Sequence, residues 1–381
     1  MSRPIRYHED TLLPFDPCGV DHKYINLQLY AKPSNQDPVP ALVSATRNQA
    51  IIDRPCDWEC SIIRFALDIS FIPLNIPVVD NTHGPNSTIY SVTLEYQGQP
   101  YQEFVIYESS NLSGRQEFQP SVWTYQQWLD SVNKALAAAW LALTTAHPLT
   151  GSTAAPAIYY TQPGSGSGIS GMNLFHDSAF IYDASLPNVP IFIYSNIPMF
   201  NTYLNFQSDY FGLSAGRDVR FVITPDNAVV LGAAPRIGLP AALQGLPVNL
   251  YMTPQRARTM ETWDSLKSIY MTTGQIPINP EIVPSFQTGV SSNQNSNIAS
   301  SQLPIITDFL AGRSPDPSIN RGIVEYLPTA EYRMVDLQGD RPIYTADVQA
   351  YYQTYSGQSY PLYITPSSVF TVKLLFRAKR H

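Results

Sequence analysis

Apolar and polar residues alternate with period two over much of the chain, which sends successive side chains to opposite faces of a strand. In 24–30, Ile25, Leu27 and Leu29 share one face. In 63–71, Ile63, Phe65, Leu67, Ile69 and Phe71 oppose Arg64, Ala66, Asp68 and Ser70. The closing stretch is the cleanest: Phe370, Val372, Leu374 and Phe376 alternate with Thr371, Lys373 and Leu375. Shorter alternations predict strands over 90–96, 104–106, 179–182, 191–194, 219–224, 248–252, 267–271, 323–327, 332–337, 348–352 and 362–365. Pro and Gly separate nearly all of them, so the pattern is that of an all-β chain of short strands, a sandwich or barrel.

One stretch changes period. Tyr125, Trp128, Leu129, Val132, Ala135, Leu136, Ala139 and Leu143 recur at three- and four-residue steps. They predict one amphipathic helix, started by a capping box at Thr124 and Gln127 and ended before His147 and Pro148. The apolar stripe has no polar group for a cofactor and fits a helix laid over a sheet. Three stretches read as loops: 147–171, 232–247, and 287–302, which has no charged residue.

Asp, Glu, Lys and Arg make up 14% of the 381 residues, where an ordinary soluble domain carries about a quarter. Tyr (24 residues) and Pro (33) are abundant instead. Surface that is not solvated by charge is surface that other chains can cover, so the composition points to an assembly subunit. The net charge of -7 opposes wholesale nucleic-acid coating, which needs a positive field. The one basic run, Arg377, Lys379 and Arg380 around Ala378, reads as a solvated tail or a small electrostatic foot reaching a partner or a genome. No signal-peptide core and no membrane-spanning segment is expected, which predicts synthesis in the cytoplasm.

Candidate chemistry is sparse. Cys18, Cys56 and Cys60 are too few for a disulfide framework. In one strand, Cys56 and Cys60 would lie about 13 Å apart, too far for a shared zinc. Gly166, Gly168 and Gly171 have dinucleotide-motif spacing, but Met172 to Phe175 after them does not read as the required helix. His176, Asp177 and Ser178 spell a hydrolytic triad in consecutive positions, where base and nucleophile cannot line up; they read as loop residues. The other histidines are scattered singly, and Asp57 and Glu59 flank Trp58 at a strand start. No catalytic residue, cofactor or metal site is expected.

The segment Trp58-Glu59-Cys60-Ser61-Ile62-Ile63-Arg64-Phe65-Ala66-Leu67-Asp68 leads into Ile72-Pro73-Leu74-Asn75-Ile76-Pro77 and a hairpin around Tyr96-Gln97-Gly98-Gln99-Pro100. Together with Tyr360-Pro361-Leu362-Tyr363-Ile364 and the closing 370–376 stretch, it resembles the penton, or minor capsid, proteins of virophages and Polinton-type viruses. The resemblance implies a jelly roll with an inserted second β domain, present as a homopentamer at the vertex of an icosahedral virion. It implies a double-jelly-roll major capsid protein as neighbour and no catalysis. On that basis the expected organisation is an N-terminal arm over 1–20, a discontinuous jelly-roll base over 21–115 and 250–381, and an insertion over 116–249. No Arg-Gly-Asp attachment motif is present; Ala215-Gly216-Arg217-Asp218 and Gln338-Gly339-Asp340-Arg341 do not match it. Two other classes fit an aromatic-rich β chain: a jelly-roll carbohydrate- or receptor-binding module with exposed stacking rings, and a glycoside hydrolase with two carboxylates facing across a cleft.

Overall fold

The computed structural model describes residues 22–32, 38–74, 76, 89–106, 122, 124–149, 154–161, 171–185, 189–203, 205–212, 216–232, 239–246, 249–256, 263–279, 281–282, 302–310, 322–326, 333–355 and 359–379. Contacts divide the chain into two units, Met1–Phe71 with Leu266–His381 and, between them, Ile72–Ser265.

The discontinuous unit is a β-sandwich of the jelly-roll class. Its first sheet runs in the order His22–Tyr30, Val369–Ala378, Trp58–Asp68, Ile323–Tyr326, and the short strand Val335–Asp336 pairs with the start of Trp58–Asp68. Its second sheet runs Ile305–Leu310, Leu266–Thr272, Thr345–Thr354, with Leu42–Thr46 and Ser359–Pro361 sharing the far edge of Thr345–Thr354. The sheets meet through Phe65, whose ring lies 4.6 Å from that of Phe309 on the opposite sheet. Phe65 also stacks on Tyr326 at 5.1 Å.

The closing strand keeps the face that its sequence assigns. Phe370, Val372, Leu374 and Phe376 are all buried. Ile25 and Leu27 on the strand beside it are buried as well. The 63–71 alternation departs from expectation at one end. The pairing register slips between Lys373 and Leu374, which face Arg64 and Ile62, so Ile63 is the extra residue of a β-bulge. The inward face therefore changes parity: Cys60 and Ile62 point in before the bulge, Phe65 and Leu67 after it. Two buried carboxylates hold the turns of this unit. Asp347 accepts hydrogen bonds from the Thr273 hydroxyl (2.5 Å) and from the backbone N–H of Gly274 (2.9 Å) and Gln275 (2.9 Å). Asp68 accepts from the Ser70 backbone (2.9 Å), Thr365 (2.8 Å) and Ser368.

The inserted unit begins and ends at one place. Leu74 bridges to Asp264, and the Ser265 hydroxyl donates to the Pro73 carbonyl at 2.8 Å. Ends held side by side are what allow a domain to be inserted without opening its host. One sheet of the unit runs Ser208–Tyr210, Val219–Phe221, Phe192–Ser195, Ser91–Tyr96, Gln99–Phe104, and the other Val229–Gly232, Leu250–Pro254, Gly171–His176, Ala157–Thr161. Helix α1, Tyr125–Ala146, packs on strands of both. The Thr124 hydroxyl caps it by accepting from the Gln127 N–H at 3.1 Å, as the capping box predicts. Trp128, Leu129, Val132, Leu136 and Leu143 join Val92, Leu94, Ile158, Leu174 and Ile193 in one core. Asn133 fastens the helix to the sheet, donating to the Ile158 carbonyl (2.9 Å) and accepting from its N–H (2.7 Å). The hairpin turns on Gln97 and Gly98, both at positive φ (49° and 78°), the geometry of a two-residue turn matched to strand twist.

Several sequence expectations are revised. Strands Ser91–Tyr96, Gln99–Phe104 and Leu250–Pro254 pair inside the inserted unit, so the contact boundaries fall at 71/72 and 265/266, where the organisation expected from the resemblance had 115 and 250. The stretch 179–182 is not a strand; Ser178–Phe180 is a 3-10 turn capped by Asp177. A second, short helix, α2, Ile197–Thr202, is capped by the Asn196 side chain. Strand Ala157–Thr161 lies inside the 147–171 stretch read as loop. The N-terminal 1–20 arm and positions 287–301 lie outside the described residues.

The bulge generates a stability prediction. Ile62→Ala is expected to destabilise the protein by about 2–5 kcal/mol and Ile63→Ala by clearly less, measured by denaturant unfolding; a larger loss at Ile63 would show an unbulged strand. Phe376→Ala, at a fully buried ring, is expected to cost about 3–5 kcal/mol, and Lys373→Ala, half-buried against the Tyr24 ring, less than about 1 kcal/mol.

Candidate functional site

The residues that spell a triad do not form one. His176 is not in a loop: it ends the strand Gly171–His176 and is wholly buried. Its Nδ1 lies 2.8 Å from the Asp177 carbonyl and its Nε2 3.0 Å from the Thr253 hydroxyl. A carbonyl only accepts, so Nδ1 carries the proton and Nε2 accepts from Thr253. The ring stacks on Tyr251 at 6.0 Å and meets Phe180 edge-on. Burial pushes the imidazole pKa down to about 4, against a smaller upward pull from the Asp177 carbonyl. The Asp177 carboxylate turns the other way and accepts from the Ala179 N–H at 2.8 Å. The constellation is a polar pin inside the inserted unit, with both ring nitrogens occupied and no path to a substrate.

The other candidates are likewise used in folding. Gly171 opens a strand where a dinucleotide motif needs a helix; positions 166–170 lie outside the described residues. Cys56 sits in the 3-10 turn Pro55–Asp57 and not in the strand. Its thiol hydrogen-bonds Asp340 at 3.2 Å, and this bond, partial burial and the nearby Asp57 charge raise its pKa. Burial, with the Glu59 charge, pushes Cys60 up to about 12. Neither offers a thiolate for catalysis or metal binding, and among the described residues no group of three His, Cys, Asp or Glu side chains could hold a metal. Arg217 of the 215–218 stretch pairs with Glu95 at 2.8 Å, and buried Asp218 accepts from the Ile197 N–H at the start of α2.

The basic tail is partly engaged. Arg377 belongs to the closing strand and pairs with Glu59 at 2.5 Å; Lys379 pairs with Asp336 at 2.9 Å. Arg380 lies outside the described residues. The expectation of three free cations is thereby reduced, because the neighbouring strands present acids to the first two.

What the fold does present is surface. On the first sheet of the sandwich, Tyr24, Asn26, Gln28 and Tyr30 point outward from the strand that buries Ile25 and Leu27 on its other face. Lys373 lies 4.9 Å above the Tyr24 ring. Rings and amides line this edge of the face, where Lys373 is shielded by Tyr24 and the next cation, exposed Arg64, stands two strands in. Among the described residues no strand pairs with the far edge of His22–Tyr30. The sequence marked these residues only as the polar half of an alternation. A second exposed aromatic group, around Arg220 on the inserted unit, draws on two strands and on Phe211 just after a third, and has no sequence signature. Among the described residues no helix is long and apolar enough to cross a membrane.

Comparison with known proteins gives one consistent result. The family model described as Sputnik minor capsid protein V18/19 matches residues 23–378. Structural protein V19 of Sputnik virophage is 29% identical over 205 residues, which is 53% of this chain and 87% of that protein. The uncharacterized protein V18 of the same virophage is 35% identical over 94 residues, 24% of this chain and 56% of that one. Among solved structures, a chain of the Sputnik virophage particle superposes with a TM-score of 0.68 at 24% identity, covering 95% of this chain and 99% of its own. The mavirus penton protein superposes with a TM-score of 0.55 at 14% identity, covering 94% and 99%. At these identities the two structural likenesses speak for the fold.

The buried histidine sets a pH dependence. The unfolded imidazole binds a proton near pH 6.5 and the folded one only near 4, so the unfolded state holds more protons between those values and stability falls as pH drops through that window. The loss attributable to His176 reaches about 3 kcal/mol. Thermal unfolding of wild type and His176→Gln between neutral and mildly acidic pH checks this, with a shallower slope expected for the variant; parallel slopes would refute it.

Proposed function

We infer that this chain, which belongs to the Sputnik minor capsid protein V18/19 family across residues 23–378, closes the fivefold vertices of an icosahedral capsid as a homopentamer. It is a structural protein of the virion capsid. The family match, spanning nearly the whole chain, carries the reading. The physical chemistry of the surface supports the oligomer. A ring buries two unlike faces on every subunit, and each charge on those faces has to be desolvated with or without a partner. A chain with 14% charged residues that exposes Tyr24, Tyr30, Tyr344 and Tyr355 on its sandwich unit carries little of that cost.

The proposed neighbours are trimers of a double-jelly-roll major capsid protein. No catalytic role is proposed, since the titratable groups that suggested chemistry are engaged as pins, caps and ion pairs. Arg377, Lys379 and Arg380 are assigned a weak contact with genome or inner capsid. The pairs of Arg377 with Glu59 and Lys379 with Asp336 are partly exposed, and such pairs contribute only about 0–1 kcal/mol, so a phosphate-rich partner can draw the cations away from them.

Negative-stain microscopy with light scattering tests the oligomer. The expected particle is a five-membered ring of 42.5 kDa subunits, alone or with the major capsid protein added; a monomer throughout, in every salt and with that partner present, would overturn it. For the tail, replacing Arg377, Lys379 and Arg380 together by Ser is expected to leave unfolding within about 1 kcal/mol of wild type and to weaken particle incorporation most at low ionic strength, the difference from wild type closing as salt screens the contact. Incorporation equal to wild type would return the tail to a solvated end.

A further inference from the structure

The inserted unit carries a row of rings and one guanidinium on the sheet face opposite α1. Val92 and Leu94 point to the helical core, whereas Thr93 and Glu95 face Tyr194 and Phe192 across the adjoining strand on the other side. Arg220 lies beside Tyr194 in the next strand. Its guanidinium is held between two rings, 4.9 Å from the centroid of Phe192 and 5.1 Å from that of Phe211. Tyr182 continues the row, 6.3 Å from Phe192, and Tyr194 closes it, 5.9 Å from Phe211. Asp209 bonds the Arg220 guanidinium at 2.6 Å.

We propose that this row is a binding site for a neutral, pyranose-type glycan. Three properties select that class. First, the two outer rings are open: Phe211 is 52% exposed and Tyr182 49%. A ring face is the negative end of a quadrupole and receives the slightly positive C–H face of a sugar, in the way it receives a cation. Secondly, polar groups for hydroxyls stand beside the rings and are already fixed. Arg220 donates only and Asp209, half exposed, accepts only, so together they match a pair of vicinal hydroxyls that both donate and accept. Thirdly, the positive charges are balanced locally, Arg220 by Asp209 and Arg217 by Glu95, which removes the field that an anionic sugar or a phosphate would need.

Area separates a glycan from a protein partner. A large aromatic side chain offers about 150–250 Å², so two half-exposed rings present an apolar patch of about that size. A stable protein interface takes about 800 Å² from each side. The patch has the dimensions of one or two sugar rings, and its open rings stand beside the sheet on backbone fixed by the Phe211 N–H to the Asp218 carbonyl (2.7 Å) and the Tyr182 N–H to the Ile223 carbonyl (2.8 Å), which limits the freedom lost on binding. The inference stands apart from the vertex assignment, since it concerns what the inserted unit touches and not how the chain assembles.

The test uses the full chain. An array of neutral oligosaccharides ending in galactose, glucose, mannose or fucose, with sialylated and sulfated ones alongside, identifies the probe, and calorimetric titration with the best neutral hit follows. Binding to neutral glycans, unchanged by added salt, is expected. Loss of about tenfold in affinity is expected in Phe211→Ala and in Tyr182→Ala, corresponding to one stacking contact. Asp209→Asn, which keeps the shape and removes the acceptor charge, is expected to weaken binding without lowering the unfolding temperature. An empty array, binding confined to anionic glycans, salt-sensitive binding, or variants that bind as wild type does would overturn the proposal. A change in oligomeric state on Phe211→Ala would also overturn it, by assigning the row to a protein contact.

Discussion

The closing strand, Val369–Ala378, is the element on which the sandwich depends. It pairs on one side with His22–Tyr30 and on the other with Trp58–Asp68, each over nine residue pairs. Without it, the first strand of the described chain has no ladder partner and its amide groups have none of the hydrogen bonds that burial demands. The same strand supplies four of the apolar side chains beneath that sheet. Its pairings join residues more than three hundred positions apart, so the closure entropy is offset only when the whole sheet forms. One consequence is that the sandwich folds as a unit and tolerates a long excursion between Phe71 and Leu266, because the excursion returns to its own starting point through Leu74, Asp264, Pro73 and Ser265.

Among the described residues a few titratable groups of this charge-poor chain are buried, and each serves the fold. Asp347 organises a loop, Asp68 ties the end of one strand to the 365–368 turn, Asp218 accepts from the first turn of α2, and His176 pins two strands of the inserted unit. For Asp68, burial pushes the carboxyl pKa upward, but hydrogen bonds from Ser368, Ser70 and Thr365 outweigh it and hold the acid below its ordinary range. These are groups that an enzyme would place in a cleft. Here each is satisfied from its own unit, and on the outside rings, amides and hydroxyls stand beside a sparse set of charges, several of them paired.

Such a surface suits a protein that lives among copies and neighbours. Desolvating an unpaired Lys or Glu costs more than desolvating a Tyr, whose hydroxyl keeps a hydrogen bond at the rim while its ring is covered. The Arg220 row belongs to the same economy of charge: a cation enclosed by rings and an acid keeps its geometry while contributing almost no net field.

The sequence by itself determined the elements whose period is local. The helix and its Thr124 cap, the Gln97-Gly98 turn, the inward face of the closing strand and the all-β class all follow from spacings within a few residues, and the structure contains each of them. The family resemblance was legible in the same segments. Tertiary structure decided the rest. Ile63 belongs to an unbroken alternation until a partner strand with one residue fewer makes it a bulge. His176 stands beside a Gly-rich stretch and reads as loop, and is buried because Thr253 and Tyr251, on a strand far along the chain, close over it. Arg377 and Lys379 read as a free tail, and lose that freedom to Glu59 and Asp336 on neighbouring strands. The boundary of the insertion moved for the same reason. Composition records where the chain turns, whereas pairing across a sheet records which distant segment it meets, and in a β protein that second fact is set by the cooperative ladder and not by any local run of residues.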